Sequence, residues 1–169
     1  MNNQTLRIIV QFIFIYLIQV AIFNQIEIGS YLKFYPYIAF VLIYPLRKNR
    51  LGLLISSFCL GLLIDFSTGS GGINAMTLLF TAYIRLPLLK FVMNNNDLDY
   101  PSFNLRQIPI DKALLFMAII CLVHCLVLYS LSYFSFVYLI PIILKGLISG
   151  SVSFLLILVG IYTFTKPRV

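Results

Sequence analysis

The sequence is poor in the groups from which soluble enzymes and binding domains build their sites. Of 169 residues only 10% are charged, with five acids, one histidine and no tryptophan, where soluble domains carry about 25% charged residues. Asp97, Asp99 and Asp111 fall in or beside one loop, and Glu27 and Asp65 stand alone, so no paired-carboxylate site is available. No Ser-His-Asp or Cys-His set lies in a polar stretch, because the single His124 sits in an apolar run. Three cysteines, all in apolar runs, give no disulfide framework and read as buried thiols. Neither end carries a lipidation box.

What the chain has instead is apolar length. It is 61% hydrophobic, more than a soluble domain of this size can hide from water. Residues 8–26, 66–84 and 146–165 are free of charge, and so is the longer run 113–144. A span needs about 20 such residues. Periodicity and breakers predict an all-α transmembrane bundle of about six helices in a single integral membrane domain over 1–169. The segments are roughly 6–28, 34–46, 51–66, 74–93, 112–132 and 136–164. The second and third are short for a ~30 Å core, so five spans with a shallow hairpin is the alternative. After the first run comes VAIFNQIEIGS, not a small-residue cleavage site, so residues 8–28 read as a retained span.

The basic residues give an orientation. Arg7, Arg47, Lys48, Arg50, Lys90, Arg106, Lys112, Lys166 and Arg168 share one side if there are six spans, against Lys33 on the other. Positive residues favour the cytoplasm, so both termini are expected there. The net charge of +7 is thereby assigned to membrane topology, and nucleic acid is not expected as a partner. In the long connection Asn94–Asp111, Asp97 and Asp99 read as a solvated turn, since no further ligand joins them.

The densest local signal runs from Gly61 to Ala75: GLLIDFSTGSGGINA. An apolar helix ends in Asp65, passes a turn containing Gly69, Gly71 and Gly72, and restarts at Asn74, which can cap the next helix. Asp65 is misplaced for a helix C-terminus, whose dipole favours cations, so it needs a specific partner or water. The order is helix–turn–helix with no Gly-Lys-Ser/Thr, so this is not a phosphate loop.

Asp65, Arg85 and Lys145 lie near membrane depth, where charges are expensive. An ion pair of Asp65 with Arg85 or Lys145 is the first expectation. Snorkelling of the two long stems comes second and contact with a partner or ligand third. Gly146 and Gly150 form GxxxG, which lets helices approach closely, within the chain before between chains. Ser57 and Gly61 repeat that spacing. Cys121, His124 and Cys125 share a helical face, but in apolar surroundings a hydrogen-bonded core histidine is expected in preference to a metal site. No cofactor is expected.

The pattern Pro36, Gly52, Gly61-Leu62-Leu63-Ile64-Asp65, a Gly/Ser turn, Gly72-Ile73-Asn74-Ala75 and Ala82-Tyr83-Ile84-Arg85-Leu86-Pro87 resembles the MreD family of small bacterial rod shape-determining membrane proteins. The specific part covers residues 52–87, and the last two helices match in hydropathy alone. The resemblance implies a non-enzymatic inner-membrane scaffold of the cell-elongation machinery. It would bind the bitopic protein MreC and help link MreB filaments to peptidoglycan synthases. It also implies a fold similar to the substrate-binding subunits of energy-coupling-factor transporters. That kinship sets out an alternative, a small-molecule-binding transporter subunit with a polar pocket near Asp65 and Asn74 at the outer face, for which the local sequence offers few polar groups.

Overall fold

The computed structural model describes residues 3–26, 33–46, 50–94 and 109–164. Among them the fold is all-helical. Helix α1 (Asn3–Ile18) continues as a π-helical stretch, Gln19–Phe23. It is followed by a short α2 (Ile38–Ile43), then α3 (Leu51–Thr68), α4 (Ile73–Met93) and α5 (Ile110–Tyr133). A 3-10 turn at Phe136–Tyr138 leads into α6 (Leu139–Phe164). Five of these helices are long and apolar enough to cross a membrane. Arg47, Lys48, Arg106, Lys166 and Arg168, with Asp97 and Asp99, lie outside the described residues.

Helix α3 lies along α4 and α5 along α6, with α4 also against α5. The closest approach is at Gly61. A Cβ there would sit 2.4 Å from the Cα of Ala75 and 2.8 Å from the carbonyl oxygen of Asn74, so only hydrogen fits between the two backbones. Gly146 and Gly150 of α6 face Leu126 and Leu122 of α5, and the GxxxG motif is therefore used within the chain. Ser149 and Ser153 complete the same face, fully buried. The outer faces carry large apolar side chains such as Ile55, Phe66, Tyr83 and Val159, as a lipid solvent requires. Cys59 is among the exposed residues of α3, against the expectation of a buried thiol, while Cys121 and Cys125 are in the core.

The second segment departs most from the sequence reading. Residues 34–46 do not form one helix, because Pro36 and Pro45 bracket the run. The residue before a proline is disfavoured in helical geometry, and Tyr44 turns out at φ −55°, ψ 132°. Only Ile38–Ile43 is helical. Yet among the described residues this stretch is deeply enclosed, with Tyr37, Ile38, Phe40, Val41 and Leu42 almost inaccessible. Its start lies at the level of Asn74 through Tyr37, and its end at Arg85 through Tyr44. Those two α4 residues are eleven apart, about 16 Å along the axis. The segment therefore runs through the bundle beside α4, and in the same direction.

That path fixes which ends lie together. The Tyr16–Ser67 and Gln19–Phe34 contacts put the end of α1 beside the end of α3 and the start of the second segment. Lys112 Nζ reaches the Met93 carbonyl at 3.4 Å, so α5 starts where α4 ends. The starts of α1, α3 and α5 and the ends of α4 and α6 share one end of the bundle. Arg7, Arg50, Lys90 and Lys112 all sit towards it.

Because the obstacle at Gly61 is backbone and that at Gly146 is the Leu126 side chain, the two glycines should differ in tolerance. Gly61→Ala is expected to cost about 2–3 kcal/mol and Gly146→Ala under about 1 kcal/mol, by the scale of overpacking penalties. Reversible unfolding of each variant in mixed micelles checks the order.

Candidate functional site

Polar groups converge at the end of the bundle opposite that basic one. Asp65, in the last turn of α3 and 5% exposed, does not reach for a cation. Its Oδ1 accepts from the backbone N–H of Asn74 at 3.0 Å, from Asn74 Nδ2 at 2.9 Å and from the Ser70 hydroxyl at 2.5 Å. Its Oδ2 accepts from the backbone N–H of Ala75 at 2.8 Å. The carboxylate thus caps the N-terminus of α4, where free N–H groups and the helix dipole favour negative charge. An acid unfavourable at the end of its own helix is favourable at the start of the next.

The turn makes this possible. Gly69 (φ 66°), Gly71 (φ 66°) and Gly72 (φ 94°) adopt left-handed geometry that side chains disfavour. The Gly69 N–H closes α3 on the Asp65 carbonyl at 2.7 Å. Asn74 does not play the expected role of accepting cap. It lies inside α4 and gives its own N–H to Asp65, while Gly72 holds the cap position.

Arg85 shows the complementary arrangement. Nη2 donates to the carbonyls of Leu42 (3.1 Å) and Tyr44 (2.6 Å), the unpaired oxygens at the C-terminal end of α2. A cation at a helix C-terminus is the favourable sign. Its Nε and Nη1 are buried without a hydrogen-bond partner. Lys145 donates to the Tyr133 hydroxyl at 2.7 Å and lies over that ring. The expected ion pair of Asp65 with Arg85 or Lys145 is therefore absent, because Asp65 spends both carboxylate oxygens on α4 and Ser70 and Arg85 is turned to the end of α2.

A hydrogen-bond chain leads from the core to Asp65. Thr81 Oγ1 lies 2.9 Å from His124 Nδ1, His124 Nε2 lies 3.0 Å from the Tyr37 hydroxyl, and that hydroxyl lies 2.8 Å from Asn74 Oδ1. The directions follow from the far end. Asn74 Oδ1 can only accept, so Tyr37 donates to it, which leaves His124 Nε2–H to donate to Tyr37. Thr81 Oγ1 also donates to the Thr77 carbonyl at 2.8 Å, so its single proton is contested between that oxygen and His124 Nδ1. From His124 to Tyr37 to Asn74 the donors point towards the carboxylate, the arrangement in which neighbouring bonds polarise one another. His124 is thus the hydrogen-bonded core residue expected.

Beside this chain lies a cavity of about 470 Å³. Tyr35, Tyr129, Phe23 and Phe34 contribute aromatic surface, and Gln19, Asn24, Ser67, Ser70 and Ser132 contribute polar groups. The sequence reading looked for such groups only near Asp65 and Asn74 and found few. Ser67, Ser70 and Asn74 do line it there, and further groups come from the ends of α1 and α5 and from the stretch before α2. Two neighbouring polar side chains five residues apart in an apolar run, Gln19 and Asn24, are the signal that could have pointed there.

Of the other candidate residues, Gly61 and Asp65 meet Asn74 at this α3–α4 junction, with Gly69 and Gly72 in its turn. Arg85 is toward the opposite end, and Gly146 and Gly150 pack on α5. Comparison with protein-family models, curated proteins and solved structures finds no match.

Asp65→Asn replaces an acceptor by an NH2 that faces existing donors. Hydrogen bonds to charged groups are worth about 1.5–3 kcal/mol, so a loss of at least about 2 kcal/mol of folding stability is expected, read by denaturant titration in micelles. His124→Leu, which removes the imidazole partner of Tyr37 and Thr81 while each keeps its other hydrogen bond, should cost about 1–3 kcal/mol on the same scale.

Proposed function

We propose that the chain is a non-enzymatic scaffold of the bacterial cell-elongation machinery, an MreD-like protein that binds MreC in the plasma membrane. Through MreC it would help couple MreB filaments to the peptidoglycan synthase complex. The observation that supports this reading is the α3–α4 hairpin. The residues that carry the MreD resemblance, Gly61, Asp65, Gly72, Asn74 and Arg85, are the ones that hold this hairpin in one shape. Gly61 sets the helix separation, Asp65 locks the turn, and Arg85 ties α4 to the second segment. A hairpin so fixed, with Ile55, Phe66, Met76 and Tyr83 on its outer side, offers a preformed face for a partner's transmembrane helix. The similarity to energy-coupling-factor substrate-binding subunits belongs to the same proposal.

The basic end would face the cytoplasm, with both termini, by the preference of Lys and Arg for that side. A periplasm-dependent phosphatase fused after Gly71 should then be active, and one fused after Met93 inactive. The reverse pattern would invert the orientation.

Co-purification in mild detergent at native expression tests the partner. MreC should be retained by the wild-type chain, and the yield should fall at least about fivefold with Gly61→Leu, which separates α3 from α4. Absence of any association with the wild-type chain would remove the reading.

A further inference from the structure

At the basic end of the bundle a positive charge is buried without an anion. We infer that a notch there, between the second segment, α3 and α4, binds the phosphate of an anionic phospholipid.

The first observation is level. Helices α3 and α4 run antiparallel from the point where Gly61 touches Ala75. Both rise about 1.5 Å per residue, so Leu51 of α3 and Arg85 of α4, each ten residues from that point, stand level. Two contacts agree with this. The Tyr44 carbonyl accepts from Arg85, and a Cβ on Gly52 would sit 2.9 Å from the Tyr44 hydroxyl. Arg50, which precedes α3, and Tyr83, 62% exposed, belong to the same level. Tyrosine rings and basic side chains at one height mark the membrane–water boundary, where headgroups lie.

The second is charge. Arg85 is 2% exposed, and both acceptors of its Nη2 are neutral carbonyls. Its Nε and Nη1 are enclosed with no acceptor. Among the described residues no carboxylate pairs with it, and Asp65 is engaged at the other end of the bundle. A helix C-terminus offsets only about half a charge. The remaining field acts strongly on an anion nearby, because little water screens it. Arg50 adds a second charge beside it, and Arg47 and Lys48 precede Arg50 in the sequence.

The third is the notch. Tyr44, Leu46, Leu53 and Leu86 line it, together with the buried Arg85 and the exposed Arg50. Its free space of about 20 Å³ holds one water-sized group. One phosphate oxygen is a group of that size. The rest of the phosphate lies outside, where the Arg50 guanidinium matches its geometry. Arg85 attracts it through its charge and needs no direct hydrogen bond to do so. Leu51 and Ile55, each 62% exposed, carry the α3 surface from Arg50 into the apolar layer, where the acyl chains lie. A free phosphate gains nothing from that surface, so the lipid is the favoured source of the anion.

The test uses the full chain purified in dodecyl maltoside with equal amounts of dioleoylphosphatidylglycerol and dioleoylphosphatidylcholine. Native mass spectrometry reads which lipid stays bound. One phosphatidylglycerol should be retained, at least about fivefold in preference to phosphatidylcholine. Arg50→Gln should lower its retention at least about tenfold. Lys90→Gln, which removes the same charge from the same end but not from the notch, should lower it less than about threefold. Arg85→Gln should act like Arg50→Gln; if that variant does not fold, Arg50→Gln decides. Inorganic phosphate in large excess should leave the lipid in place. Equal retention of the two lipids, equal losses in Arg50→Gln and Lys90→Gln, or displacement by inorganic phosphate would overturn the inference. MreC is absent from the experiment, so failure here leaves the scaffold reading standing.

Discussion

A charge inside a membrane bundle has to be matched, and in this chain the match is made by helix ends. Asp65 lies against the N-terminus of α4 and Arg85 against the C-terminus of α2. Each meets a set of backbone groups that the helix cannot satisfy internally, and each has the sign that the local dipole favours. The cost of dehydrating a carboxylate and that of leaving N–H groups unpaired in an apolar medium offset one another. At Asp65 two separately expensive problems resolve each other, whereas Arg85 still leaves Nε and Nη1 buried without a partner.

Much of the architecture depends on this. Because Arg85 takes up the carbonyls of Leu42 and Tyr44, a six-residue helix interrupted by prolines can sit in the middle of the bundle, where irregular backbone is tolerated only when protein covers it. Because Asp65 closes on α4, α3 and α4 meet at a fixed point four residues after Gly61, where the backbones nearly touch. Tyr37 joins the two devices. It rises from the second segment, donates to Asn74 and accepts from His124, so that α5 is tied to the same carboxylate. Tyr35 does similar work for α6, its backbone N–H donating to Ser153 at 3.1 Å. The second segment is thus an internal strut to which α4, α5 and α6 are all bonded.

Much of this was legible in the sequence, and unevenly so. Apolar runs gave α3, α4, α5 and α6 within a few residues, although α3, read as short for a span, is a helix long and apolar enough to cross a membrane. The left-handed turn was readable from three glycines between two apolar helices. Asp65 announced itself by having the wrong sign for its own helix end, but the sequence could not say which partner resolved the conflict. Pairing it with Arg85 or Lys145 was the natural guess because all three are charges in apolar runs. Backbone ends are invisible as partners in a residue-by-residue reading. The breaking of residues 34–46 by Pro36 and Pro45 was visible in principle, yet the run's apolarity outweighed it. The cavity was the least legible feature. Its polar groups come from positions as distant as Gln19, Ser70 and Ser132, and only the packed bundle brings them to one wall.

The central claim is that Asp65 and Arg85 are each balanced by a different helix end and not by one another. A double-mutant cycle on folding free energy in micelles, with Asp65→Asn, Arg85→Gln and the double variant, addresses it directly. Independent sites add to within about 0.5 kcal/mol. The account predicts that the two losses add in this way. A coupling energy above about 1 kcal/mol would mean that the two charges stabilise each other, and would contradict it.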